Sequence, residues 1–336
     1  MGEERETGWF NPELQFALDE FLRAGGALLE RVKELPTDQL GEFLSDPVVS
    51  VIRVGQRLGV EWQGSVEELA AYARSRLMGD YAVDQFGFDP EFTERLYLPV
   101  LRLLADKWFR LELRGIENIP VDGSALLVAN HAGALPMDAL ILQSAVFDAT
   151  GRHARMLGAD LVFTTPFSHD FARRIGATVA CAEDAARLLE GDNLVSVFPE
   201  GFKGLGKKFS DRYRLQRFGR GGFVSTAVRS QAPIVPVSIV GSEEIYPLLS
   251  DAPTLARALG FPYFPITPLF PWLGVLGMIP LPSKWIIEFG EAVTTDELPA
   301  GSADDPATVL QITDQVRITI QNTLYKLLDE RPGIFF

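Results

Sequence analysis

After Trp108 the chain alternates short apolar, β-rich runs with helical stretches, and this alternation restricts the fold more than any other feature. The runs are Phe109–Leu113, Ala125–Ala129, Ala177–Ala180, Leu194–Phe198, Ile234–Val240 and Trp285–Phe289. Helices are expected at Met137–Phe147, Ala182–Leu189, Gly221–Ser230 and Pro306–Leu328, the last opened by Asp305 as cap and Pro306 in the first turn. Several runs are bounded by Gly or Pro and lack the polar–apolar alternation of a half-buried strand. That is the pattern of a parallel sheet covered on both faces. The expected class is α/β, with a mostly parallel central sheet and helices on both faces.

Residues 1–105 read as helices only. Asn11-Pro12 opens an amphipathic helix in which Leu14, Leu18, Phe21, Leu22, Leu28, Leu29 and Val32 recur at helical spacing. Ser65 with Glu68 forms a capping box ahead of Val66–Met78, and Asp89-Pro90 starts another helix that Pro99 should bend. The expected organisation is an all-helical N-terminal subdomain over 1–105 and an α/β domain over 106–336.

Ligands of such sheets bind beyond the carboxyl ends of the strands, so the residues after each run carry the chemistry. Ala125–Ala129 runs into Asn130-His131-Ala132-Gly133-Ala134-Leu135-Pro136-Met137-Asp138. A histidine held by a carboxylate through one ring nitrogen can act as a base through the other, and Gly133 and Pro136 supply a turn to fold Asp138 back. The same residues would also suit a plain helix cap with Asp138 in solvent. Leu194–Phe198 runs into Pro199-Glu200-Gly201-Phe202-Lys203. Glu200 could orient an acceptor hydroxyl or pair with a nearby Arg, and Gly201 permits close backbone approach to a ligand.

Charge narrows the partners. With 45 acidic against 31 basic residues the net charge is −14, which repels a nucleic-acid backbone. Between Gly201 and Arg229 the trend reverses, with eight bases against Asp211 alone, interleaved with glycines. This stretch is a candidate anion site, with Lys207, Lys208, Arg217 and Arg220 as phosphate ligands and the Gly-rich helix opening at Gly221 supplying backbone amides.

The lone Cys181 allows no intramolecular disulfide and the N-terminus carries no secretory pattern, so a cytoplasmic location is expected. From Ala258 to Ser283 no residue is charged, a length sufficient to cross a bilayer. Its prolines at 262, 265, 268, 271, 280 and 282 argue against a spanning helix. It is either a loop over the core or an interfacial loop whose Phe261, Tyr263, Phe264, Phe270 and Trp272 meet lipid. No ligand spacing for zinc, no Gly-x-Ser-x-Gly elbow and no Walker pattern occurs, leaving direct attack by a substrate hydroxyl with no metal or cofactor.

Taken in order, these motifs resemble the glycerolipid and lysophospholipid acyltransferase family over Trp108–Val293. Asn130-His131…Asp138 is similar to its first block, Gly176–Cys181 occupies the place of its second, Phe198-Pro199-Glu200-Gly201 matches the core of its third, and Ala232–Val237 is similar to its fourth. The resemblance implies an O-acyltransferase that moves a fatty acyl chain from acyl-CoA or acyl-carrier protein, as co-substrate, to a glycerolipid or lysophospholipid hydroxyl. It implies His131 as general base, Asp138 as its partner, Glu200, Gly201 and Lys203 at the acceptor, and the basic stretch at the donor phosphates. Six residues rather than four separate His131 from Asp138, as in the neutral-lipid branch. Cys181-Ala182 and Phe202-Lys203 stand where phosphate-acceptor members carry arginines, which favours a mono- or diacylglycerol-like acceptor. Peripheral attachment to the inner membrane face is expected. The competing expectation is a non-catalytic lipid or acyl-carrier binder, marked by an Asp138 turned to solvent.

Overall fold

The computed structural model describes residues 47–77, 82–164 and 166–334. The helix expected from Asn11 lies outside them. Helices α1 (Pro47–Leu58) and α2 (Val66–Leu77) pack around Ile52, Leu69 and Ala70, with Trp62 donating its indole N–H to the Ile52 carbonyl at 2.9 Å. The capping box forms as expected. The Ser65 N–H donates to Glu68 Oε2 at 2.9 Å and the Glu68 N–H to Ser65 Oγ at 3.2 Å.

Asp89 caps α3, residues 90–108, by accepting the Phe92 N–H at 3.0 Å. Its α-helical turns at Pro90–Phe92 and Leu98–Leu103 alternate with π-helical turns at Thr93–Tyr97 and Leu104–Trp108. Pro99 has no N–H to return to the ladder, and the wider π turn stands immediately before its segment. Tyr97, Leu98, Leu101 and Ala105 bury in the same core as the strands. Packing therefore does not divide at the expected boundary of 105: α3 is a layer of the α/β domain.

The remaining elements follow in order: β1 (Glu112–Arg114), β2 (Ala125–Ala129), α4 (Met137–Thr150), β3 (Ala154–Gly158), α5 (Pro166–Arg174), β4 (Thr178–Val179), α6 (Ala182–Glu190), β5 (Leu194–Val197), α7 (Phe202–Leu205), α8 (Gly222–Arg229), β6 (Ile234–Val240), β7 (Ser250–Asp251), α9 (Pro253–Leu259), β8 (Pro265–Ile266), β9 (Ile286–Phe289) and α10 (Pro306–Glu330). Seven strands form one sheet in the order β1-β9-β6-β2-β5-β3-β4, parallel except where β9 runs against β6. The small β7–β8 ribbon stands apart from it.

All of β2 and β6 is buried, which is why neither shows a two-residue period. Ala125, Leu127 and Ala129 face the core shared with α3, α4 and α5, while Leu126 and Val128 face the core shared with α6, α8 and α10. Among the elements that escape the sequence reading, β3 and α5 are instructive. β3 carries Arg155 in mid-strand, which breaks its apolar run. The guanidinium is nevertheless buried, ion-paired to Asp84 at 2.7 Å and set over the Phe86 and Phe88 rings. α5 reads as polar because only residues such as Ala172 turn to the core. Among the described residues no helix is long and apolar enough to cross a membrane.

Candidate active site

The site forms at the carboxyl ends of β2 and β5. β2 pairs with β6 as far as Ala129 opposite Val237. One residue later the backbone ladder is replaced by a side chain: Asn130 donates from Nδ2 to the Ile239 carbonyl at 3.0 Å and accepts the Ile239 N–H on Oδ1 at 2.7 Å. The chain then leaves the sheet at His131.

The loop through Gly133 and Pro136 turns back so that Asp138, in the first turn of α4, meets His131. The imidazole Nδ1 lies 2.8 Å from Asp138 Oδ2, which also accepts the Ala132 N–H at 2.8 Å, while Oδ1 accepts the Ala139 N–H at 2.8 Å. Asp138 is fully buried, and the positive end of α4 favours its charge. A carboxylate can only accept, so Nδ1 carries the proton and Nε2 keeps its lone pair. The imidazole packs at 4.6 Å from the Phe198 ring and lines a cavity of about 640 Å³.

A second carboxylate fixes the backbone of the same histidine. Glu200 Oε1 accepts the His131 N–H at 2.9 Å and Oε2 accepts the Gln216 N–H at 2.6 Å. Lys207 reaches Glu200 at 3.3 Å and Glu243 at 3.0 Å, and all three side chains are buried. Burial pushes the Glu243 carboxyl up to about 7 despite the neighbouring ammonium. Gly201 holds φ 56° and ψ −144°, a conformation essentially restricted to glycine. Gly204 sits so close under His131 that a Cβ there would lie 2.7 Å from the His131 carbonyl oxygen.

The cavity above the imidazole is walled by apolar residues of α4, β3, α5 and α7 and by the 261–278 segment, including Leu140, Met156, Ile175, Phe202, Phe264 and Phe270. Tyr263 clamps that segment to the histidine loop by donating to the Ala134 carbonyl at 2.6 Å, and burial holds its phenol well above the usual range.

The structure brings His131, Asp138, Glu200 and Gly201 together as the sequence reading expects, but it revises the role of the basic stretch. Glu200 is wholly engaged by backbone N–H groups and Lys207, so its carboxylate is not presented to the cavity. Lys207 is corrected from a surface phosphate ligand to a buried counter-ion, because two carboxylates converge on it. Lys208, Arg217 and Arg220 are exposed and none lines the cavity. The segment entering α8 packs through Phe218 and Val224 on the sheet face shared with α10. Lys203 is exposed on α7, beside the cavity-lining Phe202. Asn130 and Glu243 had no role at the site in the sequence reading, although the position of Asn130 between strand and histidine was a usable signal.

Comparison with known proteins places these residues in context. A family model described as Acyltransferase matches residues 110–240. An uncharacterized protein of Mycobacterium tuberculosis is 52% identical over 321 residues, covering 95% of this chain and 83% of that one. The human DGAT1/2-independent enzyme synthesizing storage lipids is 29% identical over 131 residues, 39% of this chain and 40% of the enzyme. The crystal structure of the 1-acyl-sn-glycerophosphate acyltransferase PlsC from Thermotoga maritima aligns with a TM-score of 0.48 at 17% identity, over 76% of this chain and 88% of that one. The matched span runs through β1 to β6 and so holds both the histidine loop and the Phe198-Pro199-Glu200-Gly201 turn, and the chain belongs to the acyltransferase family.

Proposed function

We propose that the protein is an O-acyltransferase that uses His131 as a general base on a lipid hydroxyl. The observation that carries this reading is the 2.8 Å contact between His131 Nδ1 and Asp138, in a histidine that lines an apolar cavity and keeps Nε2 for the acceptor. Nε2 takes the proton from the acceptor hydroxyl, whose oxygen attacks the thioester carbonyl of acyl-CoA or acyl-carrier protein. As the C–S bond breaks, the imidazolium returns that proton to the departing thiolate, so an ester and a free thiol leave the site. Asp138 holds the tautomer and stabilises the transient imidazolium.

Glu200 acts through the His131 backbone as a positioning residue, while Gly201 and Lys203 border the acceptor. The apolar wall suits the acyl chain. An acceptor of the mono- or diacylglycerol type fits a cavity wall in which no arginine takes part. A non-catalytic binder is disfavoured, because such a protein has no use for a buried carboxylate on the histidine and Asp138 is not turned to solvent.

The test is direct. Purified protein is incubated with labelled palmitoyl-CoA and, separately, with lysophospholipids, monoacylglycerol and diacylglycerol. Labelled ester is expected with at least one neutral acceptor, and His131→Ala should lower the rate by about 10²–10⁴-fold with its unfolding midpoint unchanged. Equal rates for the variant and the wild type would overturn the assignment.

A further inference from the structure

We propose that the uncharged 258–283 segment is a membrane-docking surface and the side door of the cavity, through which amphiphiles reach His131 from an anionic bilayer without crossing water. This rests on reading the cavity as the acyl-transfer site, and it adds where the substrate enters.

The segment exposes five large apolar side chains: Phe261 is 47% exposed, Trp272 73%, Leu273 46%, Leu276 57% and Met278 41%. Phe261 and Met278 also line the cavity, so the outer patch and the inner wall are continuous. The patch is held in place rather than frayed. Tyr263 is bonded to the Ala134 carbonyl, Tyr246 donates to the Met278 carbonyl at 2.7 Å, and Trp108 donates to the Pro280 carbonyl at 2.9 Å. A rigidly presented apolar surface marks an interaction site.

The charge around the patch selects a lipid partner. No charged residue occurs from Ala258 to Ser283, and at the edge of the segment the Asp251 carboxylate accepts the Phe264 N–H at 2.8 Å. Beside it, the Tyr263 ring lies over Gly206, between the exposed Lys203 and Lys208, which form no ion pair with any described residue. In a chain of net charge −14, two ammonium groups beside this uncharged apolar segment, with no ion pair among the described residues, match an interface of acyl chains below and anionic headgroups above.

The experiment uses the full chain in flotation with vesicles of phosphatidylcholine, alone or mixed with phosphatidylglycerol. Trp272 and Leu276 do not line the cavity. The double variant Trp272→Ser/Leu276→Ser should float on the order of tenfold less. It should also lose transfer to a vesicle-embedded acceptor while retaining its unfolding midpoint and its rate with a water-soluble, short-chain thioester and acceptor. Lys203→Glu/Lys208→Glu should weaken binding to the mixed vesicles and leave the weaker binding to phosphatidylcholine unchanged. Wild-type flotation of the Trp272/Leu276 variant would overturn the proposal, and so would unchanged flotation with lost binding of acyl-carrier protein, which would assign the patch to a protein. If the wild type floats, the double variant does not, and neither transfers acyl groups, docking stands and the acyl-transfer reading falls.

Discussion

The two sides of the cavity are built by opposite rules. On the sheet side, where β2 and β5 end, polar side chains are buried and nearly every oxygen and nitrogen has a partner: Asp138 with His131, Ala132 and Ala139, and Glu200 with His131, Gln216 and Lys207. On the side formed by residues 261–278, contacts are mostly apolar and the outer residues face solvent. Buried polar groups tolerate little displacement, because each lost partner leaves a desolvated charge or dipole. Apolar contacts depend mainly on volume and accept repacking. One wall can therefore hold a catalytic geometry while the other accommodates chains of varied length.

The sharpest way to break this contrast is Asp138→Asn, which keeps the shape but lets the imidazole take the wrong tautomer. Transfer rates should fall by roughly 10²–10⁴-fold. A rate within a few-fold of wild type would mean that the polar side does not perform the chemistry. Next in size is Lys207→Met, which leaves Glu200 and Glu243 buried without their shared cation. It should cost about 3–5 kcal/mol in chemical denaturation and lower kcat through the loosened His131 backbone.

A smaller effect separates the partners by pH. Folded Glu243, held at about 7, keeps its proton in the range where an ordinary glutamate in the unfolded chain, near 4.5, has lost it. Its contribution to stability is full below pH 4.5 and is lost as pH rises through 7. Glu243→Gln carries no such titration, so its unfolding midpoint relative to wild type should rise from pH 5 to pH 8. A constant difference would show that Lys207 keeps Glu243 ionised throughout. Smallest of all, Met278→Leu on the apolar wall should change stability by less than about 1.5 kcal/mol and leave the rate within a few-fold, while shifting the preferred acyl length measured with a thioester series.

The same contrast explains what could be read from the sequence. β2, β6, α6 and α10 were legible because local signals set them: apolar runs bounded by Gly or Pro, and the Asp305-Pro306 start. His131 and Asp138 were legible because the histidine follows a strand directly and the turn residues between them permit the return. Arg155 hid β3 because a buried guanidinium depends on Asp84 and on two rings from the chain ahead of α3, information that no window around the strand contains. Lys207 was misread for the same reason. Its ammonium looked like one of eight surface charges until Glu243, far along the chain, came to meet it. The apolar segment left two readings open, and the structure supports parts of both: it covers a cavity and it also exposes Trp272 and Leu276.

Asn130 has a further consequence. By bonding Ile239 through its amide, it continues the pairing of β2 with β6 one position past the last backbone-paired residue, and releases the next N–H, that of His131, to Glu200. The histidine thus inherits the alignment of seven strands without being a member of any. Shortening that side chain would leave every strand in place and still blur the aim of the imidazole, much as a straight barrel shoots wide when its last support is removed.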